Sequence, residues 1–118
     1  MLGVAGLYQL LSGCLQKEGV VPILSIARNP RKGEVLTESR GEEYYEWLNG
    51  NRILVKVRVW LGLWYLREDA DAVEKGVEAF CRLVEEDGYR VEPGRTELES
   101  VVVWTVALSS DRRHVEPA

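Results

Sequence analysis

Two tryptophans and two cations share one face of the strand that residues 52–66 predict. The segment reads RILVKVRVWLGLWYL, and β-branched and aromatic residues at this density are typical of a strand. Successive side chains of a strand point to opposite sides, so the segment divides into two rows. One row is apolar. The other, called the Trp row below, consists of Leu54, Lys56, Arg58, Trp60, Gly62, Trp64 and Leu66.

Cations interleaved with flat aromatic rings are the groups that stack unpaired bases and contact phosphates. We therefore predict sequence-tolerant binding of single-stranded nucleic acid without catalysis, with single-stranded DNA favoured over RNA. Trp60 and Trp64 would stack bases, and the stretch from Lys56 to Trp64 would span ~26 Å. The remaining predicted contacts are the cations of the row and of a basic turn, with two weaker candidates: Lys56, Arg58, Arg28, Arg31, Lys32, Arg52 and Tyr45.

The alternative is that the Trp row is buried, either in the core or in a protein–protein or homo-oligomeric interface. Interface cores favour Trp, Tyr and Arg as well, so the residue types alone do not discriminate between the two functions. Lys56 and Arg58 are unusual on a fully buried face. The exposure of the two indoles decides between the readings.

Composition indicates one globular domain, predicted over residues 1–110, with a polar tail at 111–118. The chain has 118 residues, of which 46% are hydrophobic and 29% charged, and this length suffices for one core. The net charge of −4 makes double-stranded DNA a poorer ligand, because duplex affinity depends on neutralising many phosphates. Few Asn and Gln residues among many charged ones are typical of a thermophile protein.

Residues for metal or nucleophilic chemistry are sparse. The sequence has one histidine, His114, and two cysteines, Cys14 and Cys81. This set offers no zinc-ligand spacing, and nucleotide-binding and hydrolase motifs are absent. We expect no metal, no cofactor and no enzymatic activity. Whether the two cysteines pair stays open.

The first residues were checked for a signal that would direct the protein to a membrane. Residues 11–14 read LSGC and resemble a lipoprotein signal, but no Lys or Arg precedes them, so we interpret the match as chance. No segment approaches the ~18 apolar residues of a membrane helix. We expect a cytoplasmic protein without membrane contact.

Periodicity predicts an α+β fold: a mostly antiparallel sheet of about four strands, with two long helices packed on one face. The helices are expected at 2–18 and 70–87, where apolar residues recur every three or four positions. Residues 20–27 and 34–37 predict a hairpin, with Pro22 at a sheet edge. The S-x-x-E pattern at Ser39 predicts a short helix over 42–48. Gly62 suggests a bulge or bend in the long strand. A short strand at 89–92, a turn at Pro93-Gly94 and a central strand at 98–109 complete the expected order.

The whole pattern resembles the archaeal ThermoDBP and ThermoDBP-related proteins, which are single-stranded DNA-binding proteins of hyperthermophiles. The residues that carry the resemblance are an amphipathic first helix, the strand VKVRVWLGLWYL, and a long acidic helix followed by VVVWTVAL. It implies an oligomer, a dimer or tetramer, that binds single strands in a cleft or tunnel lined by aromatic and basic groups. The chain departs from some relatives because it has no terminal heptad repeat that would form a dimerising zipper.

Overall fold

The computed structural model describes residues 1–25 and 27–111, which form one mixed five-stranded sheet and two helices. The α+β class is confirmed, but the sheet has five strands rather than four. The predicted tail lies outside the described residues from 112 onward. In chain order the elements are α1 (Val4–Lys17), β1 (Val21–Leu24), β2 (Glu34–Leu48), β3 (Asn51–Leu66), a 3₁₀ turn (Arg67–Asp69), α2 (Ala70–Glu86), β4 (Arg90–Leu98) and β5 (Val101–Asp111).

The strands lie in the order β1-β2-β3-β5-β4. All neighbouring pairs are antiparallel except β1 and β2, which run parallel. The hairpin expected from residues 20–27 and 34–37 is therefore wrong. The connection returns the chain to the starting end of β1, where the Gly33 N–H donates to the Asp69 carboxylate at 2.8 Å. Pro22 lies in an edge strand, as predicted.

The short helix expected at 42–48 is also wrong, because β2 continues to Leu48. Antiparallel pairing along β3 supplies partners for this backbone and overrides the local capping pattern at Ser39. Asn49 and Gly50 both have positive φ, the conformation that a two-residue hairpin loop requires. The Asn-Gly pair therefore turns β2 into β3.

At the C-terminal end, residues 90–98 form one edge strand, in contrast to the short strand and turn expected there. Pro93 lies within it, which an edge position tolerates because one side of the strand needs no donor. β5 lies between β3 and β4, as its two apolar faces predict.

A β-bulge divides the long β2–β3 hairpin. Tyr44 pairs with Lys56, but Tyr45 pairs with Leu54, so β3 has one extra residue, Val55, at this point. The pairing runs without a shift through Gly62, where the irregularity was expected. Because side chains alternate along a strand, the extra residue moves everything before Val55 in β3 to the opposite face.

Both helices pack on one face of the sheet and against each other. The predicted apolar row of β3 is buried there from Val55 to Tyr65, together with the apolar stripe of α2. Each fully buried Leu or Phe side chain contributes about 1.5–3 kcal/mol through the apolar area it removes from water. No described helix covers the other face, called the open face below.

Candidate nucleic-acid interface

Trp60 and Trp64 lie on the open face and are half-buried, so neither indole belongs to the core. Trp104, on the helix-covered face, is buried in the core. On the open face, Arg58 is exposed and Lys56 is half-buried. The structure therefore places Lys56, Arg58, Trp60 and Trp64 along one accessible surface.

The two indoles are packed against each other above Gly62. Their ring centroids are 6.5 Å apart, with an interplanar angle of 63°. A Cβ at Gly62 would lie 2.6 Å from Cη2 of Trp60 and 2.9 Å from Cη2 of Trp64. Glycine at this position thus leaves the space that lets both rings lie over the strand.

Arg40, a residue that the sequence reading missed, completes the centre of this surface. It pairs with Trp60 across β2 and β3, and its guanidinium carbon lies 4.5 Å from the centroid of the Trp60 ring. Cation–π contacts of this kind contribute about 0.5–1 kcal/mol at exposed sites. The sequence pattern predicts a helix at 42–48, and the expected strand therefore does not extend past residue 37. If residues 38–48 are instead treated as a strand paired with β3, Arg40 comes to lie beside Trp60.

A groove of about 590 Å³ runs beside Trp60 across the middle of the open face. Arg40 and Arg58 line it from neighbouring strands, and Ser109 lies across the groove on β5. Within the described chain, Arg58 forms no side-chain hydrogen bond or ion pair. Its guanidinium donors are therefore available to a ligand.

A second groove of about 430 Å³ continues from Arg58 toward the end of β5. It brings Lys56, Arg58 and Arg90 together with the hydroxyl groups of Ser109 and Ser110. Arg90 pairs with Ser109 in the sheet register, which places it on the open face. Arg90 is a second cation that the sequence reading missed, since only the strand order β3-β5-β4 brings it here.

A third groove of about 880 Å³ lies beside Trp64 at the opposite end of the open face. Arg28 from the β1–β2 connection lines this groove, as the basic-turn prediction requires. Its guanidinium is already hydrogen-bonded, however, because Nη1 and Nη2 donate to the Glu34 carboxylate at 2.8 and 3.0 Å. These bonds lower the pKa of Glu34 and raise the pKa of Arg28. Arg28 therefore supplies less net charge than its position suggests.

Four predicted contacts do not join the Trp row. Arg31 and Lys32 are exposed in the connection and line none of the three grooves. Arg52 and Tyr45 lie beyond the bulge on the helix side of the hairpin, where the Arg52 guanidinium carbon is 3.8 Å from the Tyr45 ring centroid. The same bulge removes Leu54 from the Trp row.

Acidic side chains moderate the charge of the open face. Glu38 forms an ion pair with Arg40 at 3.6 Å, and Glu42 accepts a hydrogen bond from the Tyr44 hydroxyl. That bond raises the pKa of Tyr44. Glu92 lines the groove beside Trp60. Asp111 lies opposite Lys56 and lines the groove toward the end of β5. Near the Trp row, four cations are therefore matched by four carboxylates, so the surface combines aromatic rings with nearly balanced charge rather than a strongly basic field.

Residues 1–25 and 27–111 contain no group of three or more His, Cys, Asp or Glu side chains arranged to hold a metal ion. Both cysteines are free thiols, and burial raises the pKa of Cys81 to about 11. The thiol is therefore protonated near neutral pH and weakly nucleophilic. None of the described helices is long and apolar enough to cross a membrane.

Comparisons of the chain with protein-family models and with curated proteins yield no match.

Proposed function

We propose that the open face binds single-stranded nucleic acid with little dependence on base sequence. The observation that carries this proposal is the accessible pair of indoles, Trp60 and Trp64, flanked by cations on the face that no described helix covers. The groove beside Trp60 and the one toward the end of β5 share Arg58 and Ser109, and the contact between Trp60 and Trp64 joins them to the groove beside Trp64. In the proposed complex, the strand of bases follows β3 along these grooves.

In this mechanism, bases stack on the two indoles and phosphates meet the cations on either side. Each stacked base contributes about 1–3 kcal/mol. Arg58 and Arg90 offer guanidinium forks that hydrogen-bond phosphate oxygens. Arg40, already stacked on Trp60, extends the flat surface and adds a charge beside it. The rings are held against each other before ligand arrives, so little conformational entropy is lost on binding.

The salt dependence of binding should be modest. Lys56, Arg58, Arg90 and Arg40 are the cations that reach the open face near the Trp row. If each meets one phosphate, the logarithm of the binding constant falls with the logarithm of salt at a slope of about −3. A steeper slope would indicate contacts outside this surface.

The alternative function, in which the Trp row is a protein interface, fits the open face less well. Interface cores are depleted of charged residues, whereas Arg40 and Arg58 both lie beside Trp60 on the open face. The largest exposed apolar side chains also lie elsewhere, on the β2–β3 hairpin.

The deciding experiment is a titration of intrinsic Trp fluorescence with a single strand of about 20 nucleotides, a length that covers the ~26 Å path. We expect saturable quenching by the single strand, weak quenching by its duplex, and loss of binding in the Trp60→Ala, Trp64→Ala double variant. Leu83→Ala is the matched control, since Leu83 is an exposed apolar residue on α2. Equal binding by the double variant and the parent chain would refute the proposal. The same titration with RNA decides which nucleic acid is preferred.

A further inference from the structure

The outer edge of β2 is open over most of its length. β1 pairs with β2 only from Glu34 to Thr37. From Glu38 to Leu48 this edge has no strand partner in the part of the chain that the structure describes. An exposed strand edge of eleven residues is a template for pairing with another chain.

The tip of the β2–β3 hairpin also lacks cover. The described part of β5 pairs with β3 no further than Lys56, and every residue from Gly41 to Arg52 is exposed. Trp47 and Leu48 are 75% and 61% exposed. Because a two-stranded hairpin without further packing is marginally stable in water, a partner surface would stabilise this tip.

We propose that the partner is a second copy of this chain, paired antiparallel with β2 through residues 38–48 about a two-fold axis at Glu43. Such an axis places residue 43+k opposite residue 43−k of the second copy and keeps the two open faces on the same side. The two sheets then join into one ten-stranded sheet. This assembly does not depend on nucleic-acid binding.

Charge selects this register over its neighbours. With the axis at Glu43, each Arg40 lies opposite Glu46 of the second copy, and these two opposite-charge pairs stabilise the dimer. They outweigh the single facing pair of Glu43 carboxylates, whose oxygens accept hydrogen bonds from the Val4 N–H and the Tyr45 hydroxyl of their own chain. Moving the axis to residue 42 or 44 sets Glu46 against Glu38 or Glu42 and leaves β2 residues unpaired. In the proposed register, the free stretch pairs over its whole length.

Shape supports the same register. A groove of about 500 Å³ lies between α1 and the free edge of β2, lined mainly by apolar side chains. Gly41 and Ser39 line it from the strand, beside Tyr8 of α1 and the exposed Leu24 of β1. The second copy sets its Tyr45 opposite Gly41 and its Trp47 opposite Ser39, so both aromatic rings face this groove.

An unsatisfied group lies at the same position. The Ser39 hydroxyl oxygen is buried and has no hydrogen-bond partner among the described residues. The indole N–H of the facing Trp47 is a donor and lies on the same side of the paired strands. Buried polar atoms are nearly always hydrogen-bonded in native structures, so this orphan oxygen agrees with a missing partner at the β2 edge.

The first test is the mass of the full chain in solution by sedimentation velocity. We expect twice the 13.4 kDa of the chain at about 10 μM, a concentration that exceeds most dissociation constants of standard-size interfaces. Trp47→Glu should raise the dimer dissociation constant at least about 30-fold, as for a central aromatic of an interface. Leu83→Glu, on α2, is the matched control. A monomer at this concentration, or a dimer that Trp47→Glu leaves unchanged, overturns the proposal.

Charge exchange tests the register. Arg40→Glu and Glu46→Arg should each weaken the dimer, and the double variant should restore it because both opposite-charge pairs return. Additive weakening in the double variant would contradict the register.

Cysteine cross-linking locates the axis, in a Cys14→Ala, Cys81→Ala background. Residue 43 faces itself across the axis, and facing residues have Cα atoms about 4.5–5.5 Å apart, within the range of a disulfide. Glu43→Cys should therefore form a covalent dimer on oxidation. Glu42→Cys alone should not, whereas mixing it with Tyr44→Cys should. A covalent dimer from Glu42→Cys and none from Glu43→Cys would refute this axis.

Discussion

The indole ring of Trp60 meets that of Trp64 edge to face, with the ring centroids 6.5 Å apart. Edge-to-face packing at this distance is a favoured aromatic geometry. One indole thereby fixes the orientation of the other on a face that neither of the two described helices covers. The pair holds itself in place, and Gly62 gives it room.

Replacing Gly62 by alanine should separate the two rings, because the added methyl group would lie within 3 Å of both. We expect single-strand affinity to fall about 5- to 30-fold, since stacking is worth about 1–3 kcal/mol per base. The free energy of unfolding should change by about 1 kcal/mol or less, because the displaced atoms are the far ends of side chains on an open face.

Titration, urea unfolding and the near-ultraviolet circular dichroism of the coupled indoles together check this prediction. Gly13→Ala is the control, since a Cβ there meets no atom within 4 Å. Displaced rings with unchanged affinity would contradict the role of the pair as the stacking surface.

Arg58 and Arg28 should differ as phosphate contacts although both line grooves on the open face. Arg58→Ala should reduce the salt slope of binding by about 0.7, the loss expected for one phosphate on a single strand. Arg28→Ala should reduce it less, because the Arg28 guanidinium is bound to Glu34. Titrations across a salt series measure both slopes. An equal reduction of the salt slope in both variants would mean that the ligand displaces Glu34 from Arg28.

Removing the charge of Glu92 should strengthen binding. Its carboxylate lines the groove beside Trp60, where it repels a phosphate by about 1 kcal/mol at close range in water. We expect Glu92→Gln to raise single-strand affinity about 2- to 5-fold at low salt and much less at 1 M salt, where charges are screened. Glu86→Gln, on α2, should have no effect. Unchanged affinity in Glu92→Gln would place the phosphates away from this groove.

The protein should lose stability above pH 10 through its buried tyrosines. Burial raises the pKa of Tyr89 to about 12, and burial with a hydrogen bond to Glu74 raises the pKa of Tyr65 further. Since the ionised phenols are disfavoured in the folded state, their contribution is complete below pH ~10 and falls as pH rises through the folded pKa values.

The Tyr65 hydroxyl donates to Oε2 of Glu74 at 2.8 Å, and Nε of Arg95 donates to the same Glu74 oxygen at 3.0 Å. Tyr65→Phe should cost about 1–2 kcal/mol at pH 7 and should flatten the fall in stability above pH 10. Urea unfolding between pH 7 and 11 measures both effects. An equally steep fall in the variant would assign the alkaline transition to other groups.

Helices and the long strand were predictable because their apolar periods are strong. The stripe of α2 from Val73 to Val84 and the alternation along β3 both specify a buried side without knowledge of neighbours. The exposure of Trp60 and Trp64 was not predictable, because it depends on where the helices pack. The position of Arg90 on the open face was not predictable either, because it depends on the strand order that brings β4 near β3.

Predictions from local sequence patterns were wrong where strand pairing with a distant segment is more favourable. The capping pattern at Ser39 is outweighed by backbone hydrogen bonds along the whole β2–β3 ladder. The position of the bulge also has no clear signal, because Val55 is an ordinary strand residue whose unpaired status depends on register alone. Gly62 predicts a bend, but β3 is regular at this position. The absence of a side chain there instead leaves space for the two indole rings.

The extra residue at Val55 decides where the charge of Arg52 lies. Strict alternation along β3 would place Arg52 on the same face as Arg58 and Trp60. With Val55 unpaired, Arg52 lies opposite Trp47 on the helix side, and its guanidinium carbon is 3.8 Å from the centroid of the Tyr45 ring. One inserted residue thereby removes a cation from the open face and gives the hairpin tip a stacked pair of its own.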